Sequence, residues 1–288
     1  MIAVVSAAAV VAVGVTVGGT ILQTRGESSG TTARKGAPPL ELSVTGPLAQ
    51  ALGLYQHGKR SEAAAIFDRY HTLPAEIGSA FARWPHGSLD TMKKLVAANP
   101  QSALAELHLG LAYYWSGRDA DAAASWKQAA AVEPDTPYAI SALDLLHPNV
   151  APNLPPLVAD VASVPRAART SLERGIVLWN REHPVSAKRA LDAALALAPG
   201  DPVVQTAAAV ALFSPAHPLR PFPKLGPLTA RYPKAAVVRL HLGLLLLWTK
   251  QVGKGETQLR LAVSEAPRSI YAKTAKQILQ ALATNGTK

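Results

Sequence analysis

Proline constrains this chain most, because it recurs on a fixed ruler. Pro100 and Pro134 lie 34 residues apart, as do Pro199 and Pro233, and Pro233 and Pro267. A proline lacks the N–H that a helix interior requires and drives the preceding residue out of helical conformation, so each marks a helix end. Ala and Leu, strong helix formers, dominate the stretches between. Helices stopped at regular intervals by proline predict an all-α chain built from repeats. Between Pro134 and Pro199 the distance is 65, two units less three residues.

The residues between the prolines repeat as well. Leu107-His108-Leu109-Gly110-Leu111 with Trp115 recurs as Leu240-His241-Leu242-Gly243-Leu244 with Trp248, and more loosely as Gly175-Ile176-Val177-Leu178-Trp179. A polar turn and a second helix follow each copy, over 121–132, 186–198 and 256–266. Small residues at Gly110, Ala122 and Ala129 are expected where the paired helices cross, with Tyr113 and Trp126 filling the space between pairs.

This pattern resembles the tetratricopeptide repeat (TPR) family, whose 34-residue helix-turn-helix units carry such small, aromatic and proline signatures. The unit from Ser102 to Asp135 carries Leu109, Gly110, Tyr113, Ala122, Trp126 in the usual Phe place, Ala129 and Pro134. Residues 168–201 keep Gly175, Ala187, Ala194 and Pro199; residues 236–269 keep Leu242, Gly243, Ala262 and Pro267, with Gly255 at the turn alanine. Residues 46–76 keep Gly58, Ala63 and Phe67, while 77–101, 136–167 and 202–235 read as degenerate units. The resemblance implies a helical-repeat solenoid that binds a peptide or partner helix along the face of its first helices.

Two proline-rich runs interrupt the pattern. His147 to Pro156 is too dense in proline for a helix, so the preceding helix is expected to end near Leu146 and a loop to follow. Ser214 to Pro223 is expected to be extended, with Phe222 either packed back or available. Charge changes at the first break: residues 36–165 carry eight basic and twelve acidic groups, residues 166–288 eighteen and six. The expected organisation is therefore a first array over 46–146, a proline-rich break over 147–165, and a second, basic array over 166–288 closed by a polar capping helix from Ile270.

Ahead of the arrays, residues 2–22 carry no charge. As a helix they would span about 31 Å, the thickness of a bilayer core, which predicts a transmembrane anchor over residues 1–23. No basic region precedes the run, and it exceeds a signal-peptide core. Gly14 and Gly18 form a GxxxG pair that would allow the anchor to self-associate. Residues 24–45, rich in Gly, Ser and Thr, read as a flexible linker. Arg25, Arg34 and Lys35 favour a cytoplasmic domain by the positive-inside rule. The side stays open, with a lean to the extracytoplasmic face.

Catalytic chemistry finds little footing. The chain has no cysteine, which removes disulfides, thiolate metal sites and cysteine nucleophiles. Gly53 to Lys59 satisfies GxxxxGK, but Arg60 stands where a phosphate loop needs Ser or Thr and no strand precedes it, so it reads as an interhelical turn. The eight histidines show no metal-ligand spacing. No catalytic, cofactor-binding or metal-binding residues are expected, and the chain reads as a non-enzyme. His108 and His241 recur at equivalent places. They admit two readings, a groove imidazole that bonds a ligand or senses pH, and a buried structural one.

The first helices end in Tyr114, Trp115, Trp179, Phe213 and Trp248, aromatic anchors of the kind that binding hot spots favour, or else fillers between units. Arg169, Arg174 and Arg239 would add an acidic preference at the groove edge. The leading expectation is a membrane-anchored scaffold that docks a protein or peptide partner in an apolar groove. The alternative is binding of an anionic polymer or lipid headgroup by the basic half, with salt dependence to separate the two. A nucleic-acid partner is not expected, and self-association remains open.

Overall fold

The computed structural model describes residues 33–285. The expected anchor over 2–22 lies outside them. Among the described residues there are fourteen α-helices, one short 3-10 turn at Val161–Ser163 and no strand. No described helix is long and apolar enough to cross a membrane.

The chain divides between Leu146 and His147 into two compact units. The first contains α1 (Gly46–Gln56), α2 (Arg60–Phe67), α3 (Leu73–Ala82), α4 (Ser88–Ala98), α5 (Ala103–Trp115), α6 (Asp119–Val132) and α7 (Pro137–Leu146). The second contains α8 (Arg166–Trp179), α9 (Pro184–Leu197), α10 (Pro202–Val210), α11 (Phe222–Arg231), α12 (Ala236–Trp248), α13 (Val252–Glu265) and α14 (Ile270–Asn285). Each unit follows one plan of three helix pairs and a terminal helix. Both are TPR-like helical-repeat arrays.

The proline ruler works as the sequence predicts. Asn99, Glu133, Ala198, Tyr232 and Ala266 each precede a ruler proline, and all leave helical conformation with φ between −128° and −143° and ψ between 61° and 71°. Other prolines open helices at the first turn, as Pro184 and Pro202 do, where a missing N–H leaves no bond unmade. Asp201 caps α10 by accepting from the N–H groups of Val203 and Val204 at 2.9 and 3.1 Å. Ser102 caps α5 by accepting from Ala105 N–H.

Pairing depends on close approach at a fixed spacing. A Cβ added to Gly110 would run into the Trp126 ring, one on Gly175 would meet Leu191 at 2.5 Å, and one on Gly243 would meet Leu259 at 2.9 Å. In α1 and α2 the same positions hold Ala51 and Phe67, both fully buried. Ala122 and Ala129 are also fully buried, and Leu109 nearly so. Tyr113 is half-buried beneath the Arg118 guanidinium, which lies 4.6 Å from the ring centroid.

Of the three degenerate units, two form helix pairs and one does not. Residues 77–101 and 202–235, which lack the repeat signature, contribute helix pairs all the same. Residues 136–167 are not a degenerate pair. They hold α7, which ends the first unit, and then an extended segment belonging to the second, so the three-residue deficit marks a different structure. Between α10 and α11 the chain makes successive turns rather than an extended run, and Phe222 begins α11 half-buried.

Candidate functional site

The face formed by the first helices of each unit is covered by an extended segment of the same chain. In the first unit this strap spans residues 33–44, within the stretch that the sequence presents as a flexible linker. Arg34 N–H donates to the Trp115 carbonyl at 2.9 Å, Glu41 N–H to His108 Nε2 at 3.2 Å, and Ser43 N–H to the Tyr138 hydroxyl at 3.2 Å. The Pro38 carbonyl accepts from the Tyr55 hydroxyl. Leu40 and Leu42 are buried in the core of the unit.

The second unit has its own strap, residues 151–160, held by the equivalent set. Ala151 N–H donates to the Trp248 carbonyl at 2.8 Å, Val158 N–H to His241 Nε2 at 3.1 Å, and Asp160 N–H to the Tyr271 hydroxyl at 2.9 Å. The Pro155 carbonyl accepts from Trp179 Nε1 at 2.7 Å. The correspondence is residue by residue. Pro38-Pro39-Leu40 and Pro155-Pro156-Leu157 are 117 apart, Tyr55 and Trp179 are 124 apart, and His108 and His241, like Tyr138 and Tyr271, are 133 apart. Two residues before the first proline, Gly36 has φ 83° and Asn153 has φ 63°. Gly and Asn are the residues that take left-handed backbone at least cost.

Prolines suit a strap for a physical reason. They carry no N–H to leave unsatisfied against an apolar face, and they pre-set an extended backbone. The buried carbonyl between them still needs a donor, which the tyrosine hydroxyl or the indole N–H supplies.

The two histidines fix the strap's register. His108 Nδ1 lies 2.8 Å from the Leu104 carbonyl, and His241 Nδ1 lies 2.8 Å from the Val237 carbonyl. A carbonyl only accepts, so Nδ1 carries the proton and a neutral Nε2 is left to accept the strap N–H. Burial disfavours the charged ring and lowers both pKa values from 6.5 to about 4, with the carbonyl bond offsetting part of the shift. The geometry is that of the buried structural reading, with each imidazole bonding an extended segment of the same chain.

The straps differ at their edges. In the first, the Arg34 guanidinium forks onto Asp119 at 2.9 and 3.3 Å and stacks 3.3 Å from the Tyr114 ring centroid. The Glu41 carboxyl is buried beside Ser141, and burial raises its pKa. In the second, the Asn180 amide brackets Leu157, accepting from its N–H at 3.0 Å and donating to its carbonyl at 2.9 Å, and Trp248 Nε1 donates to the Asn153 carbonyl at 2.9 Å.

The aromatics expected to line an open groove are therefore covered. Trp179 and Trp248 donate to the second strap, Tyr114 and Trp115 anchor the first, and Phe213 is buried where α10 gives way to turns. Arg169 donates to the carbonyls of Val164 and Ala162, both at 2.7 Å, and Arg239 pairs with Glu265 at 3.0 Å. Arg174 is exposed. Among the described residues no group of three His, Asp or Glu could hold a metal ion.

No family model matches this sequence, and no curated protein matches it. Among solved structures, the TPR2AB domain of yeast Sti1 in complex with pHSP90 is 14% identical, covering 81% of this chain and 95% of that one at a TM-score of 0.34. YrrB, a TPR protein with an unusual peptide-binding site, is 15% identical over 80% and 90%, with a TM-score of 0.30. A thermophilic TPR protein of Thermus thermophilus is 20% identical over 69% and 97%, at 0.27. Likenesses of this size leave the fold resting on the chain's own helix pairs.

Proposed function

We propose that this chain is a non-enzymatic scaffold that holds polypeptide partners, tethered to a membrane by residues 2–22, with its arrays on the extracytoplasmic side. One observation carries the reading. In both units the first-helix face holds an extended stretch of polypeptide, through the same bonds from the same positions. Gripping main-chain N–H and carbonyl groups while burying selected side chains is how surfaces recognise extended peptides.

The basic second unit supports the other reading, binding of an anionic polymer or headgroup. From residue 166 onward 18 Lys and Arg face 6 Asp and Glu. Capture with the full-length chain from its native membranes, at low salt and at about 1 M salt where the Debye length is about 3 Å, separates the two. A polypeptide that stays bound at high salt supports the scaffold. Capture of nucleic acid or lipid alone, lost at high salt, favours the anionic reading and overturns this one.

A further inference from the structure

Residues 36–43 and 153–160 share little beyond the way they bind. Pro-Pro-Leu is common to both, but around it Ala37 stands where Leu154 does, Glu41 where Val158 does, Leu42 where Ala159 does, and Ser43 where Asp160 does. A segment kept only to fill a core would keep its apolar volumes, since interiors are packed closely enough to feel single methylenes. Here the volumes change and the bonding pattern persists. Both straps enter through a left-handed residue, offer the first proline carbonyl to a ring-borne donor, and send the N–H groups three and five residues later to a histidine and a tyrosine. What is held constant is a code for an extended segment, read mainly through its backbone.

We infer that the first-helix face of each unit is a recognition site for extended segments of the form Gly/Asn-x-Pro-Pro-Leu, that the two straps are its built-in occupants, and that a protein carrying such a segment binds by displacing a strap. This rests on the scaffold reading and names the partner's chemistry. The straps suit displacement because their bonds run to side chains and isolated carbonyls, outside any helical ladder, so they can open without unfolding the pairs beneath. A tethered occupant competes at an effective concentration of about millimolar. An external segment therefore binds weakly until the strap is loosened or the external segment is abundant.

The probe is a fluorescent peptide of residues 151–162, titrated into the full-length protein in detergent and into its Leu157→Ser variant, with anisotropy as the readout. Leu157 is a buried residue of the strap itself, so replacing it weakens the occupant and leaves the receiving helices unchanged. The variant is expected to bind the peptide at least about tenfold tighter than the wild type, because the tethered competitor is weakened. A peptide carrying the same Leu-to-Ser change should bind neither. Hydrogen exchange on the wild type keeps the idea testable should the variant fail to fold. Excess unlabelled peptide should raise exchange at Leu157, Val158 and Asp160 in proportion to its concentration, while α12 stays protected. A folded variant that binds no tighter than wild type, or strap amides indifferent to the peptide, would overturn the inference. Indifferent strap amides with salt-resistant capture intact would leave the scaffold standing, and the reverse pattern would remove the scaffold and keep the code.

Discussion

Acid should loosen the second unit through His241. Its folded pKa of about 4 lies below the ordinary 6.5, so the unfolded chain binds the proton more readily than the folded one. For a base depressed in this way stability is full above pH 6.5, falls as pH drops toward 4, and levels off below. One pKa unit is about 1.4 kcal/mol, so a shift of this size removes about 3 kcal/mol in all and about 2 kcal/mol by about pH 5. Protonation also turns Nε2 from acceptor to donor, which sets it against Val158 N–H. His147 in the same unit is depressed too, by burial and by the charge of His217, and adds to the slope. The comparison that isolates His241 is therefore wild type against His241→Gln, by hydrogen-exchange mass spectrometry corrected for intrinsic rates, with opening free energies read from helices α12 and α14. The wild type should lose about 2 kcal/mol more than the variant between pH 7 and about pH 5. Equal slopes, or an imidazole NMR titration of His241 near 6.5, would refute the assignment. The first unit should respond less steeply. The buried Glu41 carboxyl has a raised pKa, so it favours folding below its ordinary value and weakens it as pH rises, opposing His108.

Other perturbations test the packing. Gly110→Ala forces a Cβ into the Trp126 ring and should cost about 1–3 kcal/mol by denaturant unfolding. Gly53→Ala in α1, with open space at its Cβ, should stabilise by roughly 0.5–1 kcal/mol. Trp179→Phe keeps most of the ring but leaves the buried Pro155 carbonyl without its donor, at about 1–3 kcal/mol, and should speed exchange at Val158 more than within α9. Asp119→Asn replaces the half-exposed carboxylate beside the largely buried Arg34 side chain with a neutral amide that can still accept one bond, and should cost about 1–2 kcal/mol by denaturant unfolding.

The helix pairs are legible in the sequence because their causes are local. A proline stops a helix whatever surrounds it, and the sixteen-residue step from Gly110 to Trp126, repeated at Gly175 and Leu191, marks where two helices touch. The other pairs are less legible: in α3 and α4 Glu76 and Met92 stand at the places of Gly110 and Trp126, while α10 and α11 keep the sixteen-residue step only as Ala209 and Leu225, around a proline-rich connection. The straps are hidden for a different reason. Their partners lie as far as 111 residues away, from Asp160 to Tyr271, and no local rule connects an extended proline segment with a tyrosine that distant. Dense proline reads as a break, and a Gly/Ser/Thr-rich run as a linker, because both compositions disfavour helix. Neither composition prevents an extended chain from lying on one. The trace of the straps is Pro-Pro-Leu, His and Tyr, each occurring twice in the same order.

Those spacings also locate the true unit of repetition. The offset between corresponding residues grows from 117 at the prolines to 124 at Tyr55 and Trp179, and to 133 at the histidines and tyrosines. The added residues therefore fall between contacts: part lengthen helices, with α8 at 14 residues against 11 in α1 and α9 at 14 against 8 in α2, and part lengthen the connections before α8 and between α10 and α11. A helix pair shifted within its array would have lost its register with the strap, whereas residues added between the contact positions leave every bond in place. The 34-residue period governs how helices pair. The larger period, of strap, three pairs and terminal helix, governs what the paired helices hold, and any partner must answer to the second.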